Sequence, residues 1–219
     1  MTQTSDAFHN SQGHRINIKI NVVMKEIKET LLLLLGFMPW ILLLFLAGHS
    51  LASLEKAIII CLLASIFLGF NELRKGFMLQ WGTFLFFTFC FISLNLLKIT
   101  WVATRMSVLA NGMLASIMWI SVLLGRPFAL QYARKDLPKE RWNDPSLIKS
   151  CQFITVIWGA LMLLAVAISL LKKTHPGFYP EWVYFDASIL IIVSGITFTI
   201  IYKHYKRKRS QVPSIDKTL

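Results

Sequence analysis

Eleven carboxylates and five histidines are the side chains in this sequence most capable of acid–base or metal chemistry. General acid–base catalysis needs such groups within hydrogen-bond reach of one another and of a substrate. A metal site needs several His, Cys or carboxylate ligands at short spacing. Neither pattern is present. His9, His14, His49, His175 and His204 all fall outside the long apolar runs. A membrane haem draws its axial imidazoles from inside the bundle, so haem binding is not expected. Every carboxylate lies in a tail, in a loop or at the end of an apolar run. Proton-coupled carriers usually hold a titratable group near the bilayer midplane, and that class is disfavoured on this ground. No metalloprotease helix, nucleophile elbow, P-loop or glycine-rich dinucleotide turn occurs. Cys61, Cys90 and Cys151 form no C-x-x-C pair and read as small buried apolar residues. The expectation is a protein without catalytic residues, cofactor or metal, and not an enzyme.

Polar residues able to bind are fewer and more specific. The segment Gly125–Pro145 reads GRPFALQYARKDLPKERWNDP. In it Arg126, Gln131, Tyr132 and Arg134 are expected at the cytoplasmic mouth between two membrane helices. Arg126 beside Pro127 is a rigidly placed guanidinium, suited to a lipid phosphate or a partner carboxylate. The plainer reading is a positive anchor among interfacial aromatics. Asn95 and Asn111 fall within apolar runs, where an amide bonds across helices or lines a solute path. Lys98 and Arg105 border the hairpin between those two runs, with Asp186 as a candidate partner for either.

The elements that hold these residues are set by composition. Of 219 residues, 55% are hydrophobic and 16% charged, and mean hydropathy is +0.58. Charges cluster between apolar runs, as hydrocarbon demands. Six runs are near the ~20 residues that ~30 Å of hydrocarbon requires. They cover about Thr30–Ala47, Ala52–Phe70, Met78–Leu97, Met106–Leu124, Pro145–Leu171 and Trp182–Tyr202. Pro39 should kink the first. Asp144 followed by Pro145 is a helix start: an acceptor for orphan amides, then a residue that needs no donor. Phe178, Tyr179, Trp182, Tyr184 and Phe185 crowd an interface before the last run. The fold class is therefore all-α, a polytopic transmembrane bundle over residues 30–202. Residues 1–29 form a polar N-terminal tail and 203–219 a basic C-terminal tail.

Lys and Arg fix the orientation. Eighteen of the 23 fall in the two tails and in the loops after the second and fourth runs. Lys56, Lys98, Arg105, Lys172 and Lys173 are the five on the other side. The positive-inside rule makes the richer side cytoplasmic, with both termini there. The net charge of +12 then serves topology and contact with anionic headgroups, not nucleic acid.

Two loops on that side carry similar text. Lys75-Gly76-Phe77-Met78-Leu79-Gln80-Trp81 and Arg126-Pro127-Phe128-Ala129-Leu130-Gln131-Tyr132 match in type at five of seven positions, 51 residues apart. A duplicated two-helix hairpin and a chance match of limited composition both explain this.

The stretch Gly125–Arg134, followed by Pro138, Trp142, Pro145 and Trp158, resembles bacterial multi-pass proteins of the intracellular septation protein A-like family. That resemblance covers about 35 residues and implies a bacterial inner-membrane location with partners in cell-envelope or septum assembly. It carries over no catalytic residue. Two functions stand ahead of a third, a membrane enzyme acting on lipid, for which the sequence shows no machinery. One is a membrane interaction protein of this kind, with a homo-oligomer as one form. The other is a small-solute transporter or channel, with a polar cavity lined by Asn95, Asn111, Gln80 and Gln131.

Overall fold

The computed structural model describes residues 24, 35–48, 50–175, 177 and 180–211, without the side chains of 136, 181, 182, 185 and 207–211. Most of the N-terminal tail, the start of the first apolar run, Phe178 and Tyr179 of the aromatic interface segment and the end of the basic tail lie outside these residues. What is described is helical, with no strand among the described residues.

In chain order the helices are α1 (Leu35–Leu46), α2 (Leu51–Arg74), α3 (Met78–Phe91), α4 (Thr100–Thr104), α5 (Met106–Leu123), α6 (Phe128–Ala133), α7 (Pro145–Thr174) and α8 (Glu181–Gln211). Residues Ile92–Leu96 continue α3 as a π-helical turn. Among the described residues, α2, α5, α7, α3 with its π turn, and Asp186–Lys206 of α8 are long and apolar enough to cross a membrane; α1 is apolar but shorter. This is the architecture of a helical membrane protein.

Local chemistry accounts for the boundaries. Ser50 opens α2 by accepting from the Ser53 amide at 3.1 Å. The Asp144 side chain accepts from the Ser146 amide at 2.9 Å, with Pro145 in the first turn, as the sequence suggested. α2 and α5 end alike. Gly76 and Gly125 take positive φ, 72° and 67°. Beyond each, the next amide reaches back five residues: Phe77 to the Glu72 carbonyl, Arg126 to that of Ser121. Glycine is suited to this closing turn because it has no Cβ to clash there.

Cross-helix contacts define two ends. At one, the turn after α2 meets α6. At the other, Glu55 at the start of α2 meets Lys98 beyond α3, Nζ to Oε1 at 3.0 Å. The sequence offers Asp186 as a candidate partner of Lys98 or Arg105. Instead Lys98 pairs with Glu55, Arg105 stacks over the Trp101 ring at 4.4 Å, and Asp186 is exposed. The α2–α3 hairpin brings Glu55 and Lys98 together as neighbours, whereas α8 packs mainly on α7. Cys61, Cys90 and Cys151 are free and buried.

Candidate functional site

A cavity of about 920 Å³ lies between α1, α5, α7 and α8. It occupies the half of the bundle that holds the Lys98 and Arg105 turns. Its floor is Phe37, Trp40 and Trp158, and toward its mouth stand Ser107, Asn111, Ser169, Lys172, Tyr184 and Ser188.

Phe37 lies flat on Trp158, ring centres 5.4 Å apart. Trp40 stacks on Phe86 at 5.0 Å and leans on Phe87. Both indole N–H groups turn away to partners in neighbouring helices. Trp40 donates to Thr83 Oγ1 at 2.8 Å, and Trp158 to Thr199 Oγ1 at 3.0 Å. Each threonine passes the bond to a carbonyl of its own helix, Leu79 or Gly195. Gly195 is needed here, since a Cβ would stand 2.9 Å from the Trp158 ring. The floor is thus apolar and its donors are engaged, as buried tryptophans require.

Nearer the mouth the wall turns polar. Asn111 Nδ2 donates to Ser169 Oγ at 3.0 Å, and Ser169 donates to the Ala165 carbonyl at 2.9 Å. The Lys172 ammonium sits 5.4 Å from the centre of the Tyr184 ring, within cation–π range. Among the described residues lining the cavity, Lys172 is the one that carries a charge.

Behind the floor the bundle is filled. Phe128 of α6 meets Phe37 edge-on at 6.1 Å. Tyr132 meets Phe77 edge-on at 5.2 Å. The ammonium of Lys135 lies 5.0 Å from the Phe77 ring and 5.2 Å from the Tyr132 ring, and it pairs with Glu72, both side chains mostly buried. Burial, with the Glu72 carboxylate as a smaller cause, pushes the Tyr132 phenol well above its ordinary pKa, so it stays neutral. α1 comes so close that a Cβ on Gly36 would stand 2.4 Å from Tyr132 Oη.

The residues singled out by sequence therefore separate. Arg126 is exposed in the turn after α5. Gln131 points inward and accepts from the Met78 amide at 2.9 Å, satisfying an orphan donor at the start of α3. Tyr132 is buried. Arg134 donates to the Trp142 carbonyl at 3.0 Å and lies over that ring. Of the four polar residues expected around a cavity, Asn111 alone lines it. Asn95 lies in the π turn, its amide nitrogen buried with no hydrogen-bond partner among the described residues. Gln80 is buried against Gly69 and donates to the Ser65 carbonyl at 3.0 Å. The two similar loops share their closing glycine turn, but Gln80 and Gln131 at matching positions do different work.

Sequence reasoning missed Ser107, Ser169, Lys172, Tyr184 and Ser188. Their spacing held a signal: Ser107 with Asn111, and Tyr184 with Ser188, are four apart, and Ser169 with Lys172 three apart, so each pair shares a helix face. Among the described residues no group of three or more His, Cys, Asp or Glu is placed to hold a metal. Comparison with family models, curated proteins and solved structures finds no match.

Proposed function

We propose that this protein crosses the membrane six times with both termini in the cytoplasm, and that it takes up a small molecule into the cavity from the opposite side, as a carrier or binding protein. The observation that carries the reading is the hollow itself. Interiors are normally filled to crystal-like density, and a concave, mostly apolar space with a few convergent polar groups is the usual form of a ligand site. For the sixth span, the sequence just before α1 is apolar from Leu31 to Leu34, which together with α1 makes a run near span length. For the orientation, the loops richest in Lys and Arg lie at the filled end, which leaves the mouth facing away from the cytoplasm.

Cysteine labelling in sealed vesicles of known orientation tests this. The native cysteines are buried, so Ser107→Cys and Ser188→Cys report the mouth. Both should react with a membrane-impermeant maleimide added from the non-cytoplasmic side. Reaction only from the cytoplasmic side would overturn the orientation, and no reaction from either would overturn an accessible cavity.

A second reading is favoured by Arg126. It stands exposed beside Pro127 in the segment that resembles septation protein A-like proteins, and so suits a contact in envelope or septum assembly at a bacterial inner membrane. A membrane partner that co-purifies with the wild type and is lost from Arg126→Ala would support it. Unchanged co-purification would remove Arg126 from that role.

A further inference from the structure

Most polar groups along the cavity are bonded within the protein. At the floor the indole N–H groups of Trp40 and Trp158 donate to Thr83 and Thr199. Higher up, Asn111 donates to Ser169, Ser169 to the Ala165 carbonyl, and Ser188 to the Tyr184 carbonyl at 2.9 Å. Lys172 stands over the Tyr184 ring. Below Asn111 the walls are rings and aliphatic groups, with Leu114 on α5, Met162 on α7 and Ile191 on α8.

A polar solute drawn into such a space would leave its own groups unpaired, which is costly. A flexible hydrocarbon gains little either. Lipid tails are as apolar as these walls, so burial alone favours nothing, and close contact must supply the difference. A chain gives up its rotamer freedom when it is held, whereas a rigid ring has none to lose. Five of the side chains lining the space are aromatic: Phe37, Trp40, Phe45, Trp158 and Tyr184. Ring against ring is favoured beyond the area it covers. A hollow of about 920 Å³ is at the upper end of ligand sites and has room for several fused rings.

Resting on the uptake reading above, we infer that the occupant is an uncharged lipophile built on rigid rings, held against Phe37, Trp40 and Trp158 by packing and not by hydrogen bonds or charge. Such a molecule dissolves in the membrane, so it reaches the cavity from the non-cytoplasmic leaflet.

The test uses the full-length protein in nanodiscs of ordinary lipid and a small photoreactive ring, phenyl trifluoromethyl diazirine, whose adducts are mapped by peptide mass spectrometry. Cavity adducts are expected on Ile41, Leu114, Met162 or Ile191, which line the space. Pyrene, rigid and uncharged, should displace them saturably at low mole fraction. Hexadecane should need roughly fivefold more, the scale of one aromatic contact. Pyrenesulfonate should need more still, because a charge is costly to bring into an apolar site. Ala165→Phe, which fills the cavity, should remove the displaceable adducts; Ser188→Phe serves if the first variant loses its helical circular dichroism. Hexadecane equal to pyrene would overturn the rigid ring, and pyrenesulfonate equal to pyrene would overturn the lack of charge. Adducts that pyrene does not displace, or displaceable adducts that survive both fillings, would overturn the inference as a whole. Absence of cavity adducts, with Ser107→Cys or Ser188→Cys still reactive toward maleimide, would overturn the lipophile and keep an accessible site for a polar solute. Absence of both adducts and maleimide reaction would overturn the lipophile and the uptake reading together.

Discussion

The two ends of this bundle are built from the same residue types to opposite effect. At the filled end, Phe37, Phe128, Tyr132 and Phe77 interlock, and the short helix α6 is tucked inward to supply two of those rings. At the hollow end Phe45 and Ile41 of α1 border open space. The difference does not come from hydrophobicity, because lipid is as apolar as either interior. In a membrane, what holds helices together is close packing and a few interhelical hydrogen bonds. The filled end has both: Gln131 closes the amide of Met78, and Lys135 meets Glu72. The hollow end has Asn111 with Ser169, and Lys98 with Glu55 near the surface.

If this contrast is right, truncation hurts most at the filled end. Phe128 is fully buried, and Phe128→Ala should cost about 3 kcal/mol. That is the low end of the range for buried rings in water, since no transfer from water is lost here. Unfolding in mixed detergent micelles measures it, and a cost under about 1 kcal/mol would count against tight packing around α6. Next in size is Gly69→Ala. Its Cβ would stand 1.7 Å from Gln80 Nε2, so the Gln80 side chain must leave and its bond to the Ser65 carbonyl must break. A loss of about 2 kcal/mol is expected, most of it restored by adding Gln80→Ala in the same chain. Absence of that rescue would locate the strain elsewhere.

The ion pairs sharpen the comparison on a smaller scale. Glu72→Gln leaves the Lys135 ammonium among rings with both side chains 18% exposed. It should cost about 1–2 kcal/mol, below a fully buried pair because solvent still reaches it. Glu55→Gln breaks a pair whose lysine is 64% exposed, and the same assay should show about 0.5 kcal/mol or less. Equal costs would mean the two ends do not differ in solvent access.

Much of the frame was legible in the sequence because span length and capping are local properties. The apolar run from Met78 was expected to end at Leu97 and ends, with its π turn, at Leu96. α2 runs on to Arg74 and α7 to Thr174, past the last apolar residues, because polar side chains that reach water extend a helix beyond the hydrocarbon at no penalty. α6 was not legible as an inward element. Arg126 and Arg134 read as a positive anchor at the cytoplasmic mouth, although Phe128, Ala129 and Tyr132 have the spacing of a helix with one buried face. The cavity was less legible still, because it depends on the rotation of four helices about their own axes. Asn111 and Asn95 look alike in sequence, yet one lines the cavity and the other sits in a π turn. That cavity, which shares only Asn111 with the one the sequence suggested, moves ligand uptake ahead of partner binding.

The most direct test pairs one substitution at each end. Ala129 and Ala165 are both buried, 7% and 6% exposed, the first in α6 and the second in the cavity wall. Both are changed to Phe and stability is measured in the same micelles. Overpacking a filled core costs about 1–3 kcal/mol, so Ala129→Phe should fall in that range, while Ala165→Phe should be neutral or stabilising. An equal loss in both variants would mean that the space between α1, α5, α7 and α8 is already occupied by protein, and would contradict the hollow on which the account rests.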